Sequence, residues 1–173
     1  MSYSPITLAS GSASSAATLD IDMSAYYNLY TIIEVILYGL VPVTTNTDLQ
    51  MLVSADGSTF DNASGNYKVN FIYNLDGGTS GGGGSTSATS MLLTSAVGNT
   101  VLNNNNYRIN IINPGSASFF PTISYSFSYV NNGGGYLTGT GGGWRVAAQI
   151  TKAVRFKMSS GNITTSYIVR GIK

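Results

Sequence analysis

The sequence predicts an all-β fold, an antiparallel β-sandwich of jelly-roll character, on three observations. Apolar and polar residues alternate with period two along most of the chain. Clusters of Gly, Asn, Asp and Ser punctuate the alternating runs at short intervals. No window of useful length carries a 3.6-residue apolar period.

The first strong run is Tyr30 to Tyr38. Thr31, Ile33, Val35 and Leu37 point one way, and Tyr30, Ile32, Glu34, Ile36 and Tyr38 the other. Both sets are largely apolar, so this strand is expected to be covered on both sides. The longest apolar stretch runs from Tyr26 to Val43, but it carries Asn28 and Glu34 and is interrupted by Gly39 and Pro42. It reads as a strand, since a spanning helix needs about 20 apolar residues with few or no charges. No membrane partner is expected.

Further along, Leu49, Met51 and Val53 alternate with Gln50, Leu52 and Ser54. Tyr67, Val69, Phe71 and Tyr73 alternate with Lys68, Asn70 and Ile72. Tyr107, Ile109 and Ile111 form a third run; Ile123, Tyr125, Phe127 and Tyr129 form a fourth, with serines between them. Val154, Phe156 and Met158 oppose Arg155 and Lys157, and Ser166 to Ile172 closes the series. Turns are expected at Asp56-Gly57, Ser64-Gly65-Asn66, Asp76-Gly77-Gly78, Asn131 to Gly135 and Gly161-Asn162. The pattern amounts to eight to ten strands.

Gly77 to Ser90, Asn131 to Gly135 and Gly139 to Gly143 are so rich in glycine that they read as mobile loops. The Ser/Ala/Gly-rich start reads as a flexible arm over residues 1–17, without the pattern of a signal peptide, followed by one sandwich domain over residues 18–173.

Charge is scarce and segregated. Charged residues make up 9% of the chain, where about 25% is usual. Seven carboxylates lie in the first 76 residues against Lys68 alone, a net of −6. Arg108, Arg145, Lys152, Arg155, Lys157, Arg170 and Lys173 follow with no carboxylate, a net of +7. Two oppositely charged surfaces are therefore expected to meet, within one molecule or between copies. A surface so poor in charge lacks the self-repulsion that keeps monomers apart, which favours assembly.

The chain has no His, no Cys and one Glu, which removes most catalytic machinery and any thiolate metal site. The Gly81 to Gly84 run is followed by Ser85-Thr86-Ser87 and no Lys, so it departs from a phosphate loop. Ser54 to Asn62 offers two carboxylates but lacks the spacing of an EF-hand calcium loop and its terminal Glu. Most Asp residues fall in turns, where they have structural uses, so no carboxylate pair for hydrolysis is read. No cofactor is expected. Arg155 and Lys157 alternate with core-facing residues, and the pI of 7.9 is too low for a nucleic-acid footprint. Arg145, Lys152, Arg155, Lys157 and Arg170 are the candidate contact residues, for an acidic protein surface. Trp144, after three glycines, is a candidate loop anchor or stacking platform.

Three stretches carry a resemblance. They are Tyr30 to Pro42 leading into Asp48-Leu49-Gln50-Met51-Leu52-Val53-Ser54, then Ala55-Asp56-Gly57-Ser58-Thr59-Phe60-Asp61 to Tyr67, and Ile150 to Lys173. The last includes Val154-Arg155-Phe156, Ser159-Ser160-Gly161-Asn162-Ile163 and Arg170-Gly171-Ile172. About half the chain thus resembles small virion-associated β-sandwich proteins of tailed bacteriophages and prophages. It departs from their pattern in its single glycine after Asp56 and its long glycine-rich insert. The resemblance implies no catalytic residues. It implies a non-enzymatic tail, fibre or capsid-decorating subunit, localised to the virion. Such a subunit would be a symmetric homo-oligomer, a trimer among the candidates, in contact with other virion proteins. The alternative expectation is a carbohydrate-binding module for a host surface glycan, resting on Trp144, the tyrosines and the Asn-rich loops.

Overall fold

The computed structural model describes residues 4–100 and 104–173. These residues form twelve strands and no helix. In chain order they are β1 (Ile6–Ala16), β2 (Leu19–Asp22), β3 (Ile32–Pro42), β4 (Thr47–Ser54), β5 (Tyr67–Leu75) and β6 (Ser80–Ala88). Then follow β7 (Met91–Val97), β8 (Asn105–Ile112), β9 (Thr122–Val130), β10 (Tyr136–Arg145), β11 (Ala153–Met158) and β12 (Ile163–Ile172). They build two antiparallel sheets packed as a sandwich. The large sheet has the order β1-β12-β3-β8-β9-β10-β5-β6, and the small one β2-β11-β4-β7.

The alternation seen in the sequence decides which side chains enter the space between the sheets. Ile33, Val35 and Leu37 of β3 face it beside Tyr107, Ile109 and Ile111 of β8, and all are buried. From the small sheet, Leu49, Met51 and Val53 meet them with Val154, Phe156 and Met158. Tyrosines of the large sheet reach across the gap and end in hydrogen bonds. Tyr125 Oη donates to the Leu92 carbonyl at 3.0 Å, and Tyr129 Oη to that of Ser95 at 2.8 Å. The Tyr107 and Thr94 hydroxyls bond to each other at 3.1 Å. A tyrosine spans the separation of packed sheets with its apolar body and satisfies its polar tip on the far side. Burial raises the phenol pKa of all three, that of Tyr129 to about 12.

Twelve strands form where eight to ten were expected, and three further expectations change. The first is that of glycine-rich mobile loops: Gly77 to Ser90 contains strand β6, and Gly139 to Gly143 lies inside strand β10. Only Asn131 to Gly135 is a turn, joining β9 to β10, where the Asn131 side chain accepts the N–H groups of Gly133 and Gly135 at 2.9 Å. Glycine in a strand leaves space beside it, and here aromatic rings of neighbouring strands take that space. Tyr73 lies opposite Gly81 and Phe71 opposite Gly83, while Phe127 and Tyr125 lie opposite Gly139 and Gly141. A Cβ on Gly81 would sit 2.5 Å from the Tyr73 ring, and one on Gly139 2.5 Å from the Phe127 ring. The missing side chains are therefore required by the packing.

The second change concerns the arm over residues 1–17. Residues 1–3 lie outside the described residues, and Ile6–Ala16 forms edge strand β1, paired with β12 from Ile6↔Gly171 to Ala16↔Ile163. Small residues are tolerated because the ladder supplies the hydrogen bonds; Tyr167 covers Gly11 as the other rings cover theirs. Strand β3 is also covered differently from expectation. Its Ile33 face is buried in the core, whereas Ile32, Ile36 and Tyr38 point outward from the large sheet with no layer of this chain over them.

Candidate functional site

The expected meeting of opposite charges occurs inside the molecule. Among the described residues there are four ion pairs, and each joins a carboxylate from the first 76 residues to an arginine beyond them. Three of the five candidate contact residues are committed in this way. Arg155 forms two hydrogen bonds to Asp20 at 2.6 Å each, and its guanidinium lies 4.1 Å from the centre of the Phe60 ring. Arg145 binds Asp61 at the end of β10, and Arg170 reaches Glu34 at 3.6 Å. Lys152 stands 5.7 Å over the Tyr27 ring, and Lys157 pairs in register with Gln50. The five do not converge. Arg155 and Lys157 lie on the outer face of the small sheet, whereas Arg170 lies on the outer face of the large one.

The loop Ala55–Asn66 uses its own carboxylates. Asp56 Oδ1 accepts the N–H groups of Ser58 and Thr59 at 2.7 Å and the Ser54 hydroxyl at 2.9 Å. These bonds, the Thr59 N–H foremost, hold the carboxyl well below its usual pKa. Burial pushes the Asp61 carboxyl up, but hydrogen bonds from Asn66, Arg145 and the Ala63 N–H carry it below its ordinary value. Tyr67 Oη donates to the Asp61 carbonyl at 2.8 Å and accepts the Val53 N–H at 3.1 Å. The result is a loop clamped onto β4, with its acids engaged as turn and anchor groups.

Two outer regions of the large sheet remain as candidate surfaces. The first centres on Glu34, which is buried on the outer face between Arg108 at 3.2 Å and Arg170 at 3.6 Å. On one side of it Ile172, Ile32 and Ile112 stand in one cross-strand row; on the other, Ile168 and Ile36 stand beside Arg108. The second region lies toward the β6 edge. There Trp144 is paired with Lys68, whose ammonium is 5.9 Å from the indole, and the next row reads Ser124, Gly142, Asn70, Gly84. The row after it reads Ser126, Thr140, Ile72, Gly82, with Ile72 66% exposed.

Trp144, expected as a loop anchor or stacking platform, lies within strand β10, and its neighbours Asn70, Ile72 and Gly142 were not singled out by the sequence. Reading Tyr136 to Arg145 with period two would have placed Trp144 and Gly142 on one face. No family model matches the chain, and no curated protein matches it.

Proposed function

We propose that the protein is a non-enzymatic structural subunit of a tailed-bacteriophage virion, a tail, fibre or capsid-decorating component, that works as a homo-oligomer and through contacts with neighbouring virion proteins. The observation that carries this reading is the outward face of β12, β3 and β8. It presents Ile32, Ile112 and Ile172 in one row and Ile36 and Ile168 in another, all partly exposed, with Tyr38 exposed beyond them. Apolar side chains left partly exposed on both sides of a paired charge cluster suit a protein contact through a mixed apolar and polar surface. Its one carboxylate is already matched by two arginines, so a second copy can close over it without burying an unpaired acid.

Two further features support the reading. We read strands β1-β12-β3-β8 against β2-β11-β4-β7 as the eight strands of a jelly roll, an architecture used by viral capsid domains, with β5, β6, β9 and β10 added to one sheet. The virion setting itself rests on the resemblance in the three stretches quoted above.

Light scattering on the purified protein tests the assembly. The wild type is expected to be a defined oligomer, and Ile36→Asp with Ile168→Asp to give a monomer that keeps its β-sheet circular dichroism. A wild type that stays monomeric at high concentration and has no affinity for virion parts overturns the proposal.

A further inference from the structure

We infer that the outer face of β9, β10, β5 and β6 is a carbohydrate-binding site, with Trp144 as the stacking platform and Asn70 as the central hydrogen-bonding group.

The argument begins with the floor. Gly142 and Gly84 flank Asn70 in its row, and Gly82 flanks Ile72 in the next, so side chains are missing on both sides of β5. Two depressions result, about 480 and 710 Å³ in volume, and both are bounded by Trp144, Asn70 and Gly142. The first extends to Ile72, Thr140 and Thr122, and the second to Lys68, Gly84 and Thr86. Asn70 is the low wall between them. Each is in the range of sites for small ligands.

The walls decide the class of ligand. Strands β9, β10 and β5 have partners on both sides, so their main-chain groups are taken up in the ladder. A peptide laid on this face would find no backbone partners, which is how extended peptides gain most of their affinity. Recognition falls to side chains, and these are a 39% exposed indole, an exposed isoleucine, and neutral amides and hydroxyls from Asn70, Thr140, Thr122 and Ser124. Flat apolar surface ringed by neutral donors and acceptors matches a pyranose, which has an apolar C–H face and an equatorial belt of hydroxyls. Lys68 supplies the single charge of these rows and has no ion pair among the described residues. One cation is too few for a nucleic-acid backbone, but it suits a sugar carboxylate. Two depressions sharing one platform fit an oligosaccharide that crosses β5 with neighbouring rings on either side of Asn70.

Trp144 is the single tryptophan of the chain, so tryptophan emission, excited selectively over the twelve tyrosines, reports on this site alone. The test uses the whole protein on a printed array of neutral and uronic-acid-bearing glycans, followed by fluorescence titration with the oligosaccharides that bind. The expected result is a shift of Trp144 emission on binding. Trp144→Ala should weaken binding at least about tenfold, with partial recovery in Trp144→Phe. Asn70→Ala should also weaken it, and Lys68→Ala should do so for acidic glycans only. Thermal midpoints and light scattering should change little, since these side chains are on the same outer face but two strands (Trp144) and three strands (Asn70, Lys68) away from β8. An array without signal overturns the inference. So does glycan binding that Trp144→Ala and Asn70→Ala leave intact. Neither result alters the oligomeric state, so the two proposals fail separately.

Discussion

Arg155 holds Asp20 through both carboxylate oxygens, Nε to Oδ1 and Nη2 to Oδ2, each at 2.6 Å. The pair joins β11 to β2 at the position where Arg155 and Asp20 stand in register. It brings a residue near the start of the chain to one near its end, and with it the acidic and basic parts of the sequence. A bidentate guanidinium–carboxylate contact is the strongest geometry an ion pair of this kind adopts. The Phe60 ring beneath the guanidinium fixes its plane.

A double-mutant cycle should measure that relationship. Asp20 and Arg155 side chains are 42% and 30% exposed, so solvent screens them. Asp20→Asn and Arg155→Gln are each expected to destabilise the fold, with a coupling of about 0.5–1 kcal/mol by urea denaturation. Addition of 1 M salt should shrink the coupling. A coupling of zero would make the contact incidental to folding.

The glycine–aromatic pairs make a sharper prediction. A Cβ on Gly83 would lie 2.8 Å from the Phe71 ring, and all three of its nearest neighbours are atoms of that ring. Gly83→Ala should therefore cost about 1–3 kcal/mol, as overpacking does. Combined with Phe71→Leu it should cost less than the two changes separately, because the smaller side chain gives the methyl group room. Gly133→Ala, whose nearest neighbour would be 3.4 Å away in the β9–β10 turn, should stay within about 0.5 kcal/mol of wild type. Equal costs at the two positions would refute the pairing argument.

These pairs also explain what could be read in the sequence and what could not. Strand β3 was legible because Ile33, Val35 and Leu37 state their face through their own side chains. Strands β6 and β10 were not, since glycine has no side chain with which to declare a face. The information that makes them strands sits on Phe71, Tyr73, Tyr125 and Phe127, in other parts of the chain. Strand β1 hides for the same reason, its partner β12 being the other end of the molecule. Charge segregation foretold that the two parts would meet, yet nothing in it could pair Asp20 with Arg155 or seat Glu34 between Arg108 and Arg170. The sites on the outer faces depend on cross-strand register, which a single sequence does not reveal.

Tyr67 tests how the Ala55–Asn66 loop is held down. Its hydroxyl serves the Val53 N–H and the Asp61 carbonyl at once, in a buried position. Tyr67→Phe keeps the ring and removes both bonds, leaving a donor and an acceptor unsatisfied. A loss of about 1–3 kcal/mol follows from that penalty. Hydrogen exchange at the Val53 amide should accelerate more than at the amides of β12. Uniform acceleration would mean that the hydroxyl acts on the fold as a whole and has no special hold on the loop.

The pH dependence of stability follows from the same groups. The chain has no His or Cys, so its side chains titrate only at the acid and alkaline ends, and stability should be nearly level from about pH 5 to pH 9. On the acid side Asp22, Asp56 and Asp61 all have lowered pKa values in the folded protein, Asp22 through its hydrogen bonds with Ser24. A depressed folded pKa contributes stability that is present above the unfolded value and disappears as pH falls through the folded one. Stability should therefore decline from about pH 4 downward. Asp56→Asn should flatten part of that decline, because an amide has no proton to gain. On the alkaline side the sign reverses. Burial raises Tyr26, Tyr67 and Tyr129 to about 12, so the unfolded chain loses its phenol protons first. Stability should fall as pH rises from about 10 toward 12. Urea midpoints across the range, read beside the tyrosinate absorbance, check both limbs. A slope in the neutral region, or tyrosines that all ionise near pH 10 while the fold persists, would contradict the buried hydroxyl bridges between the sheets.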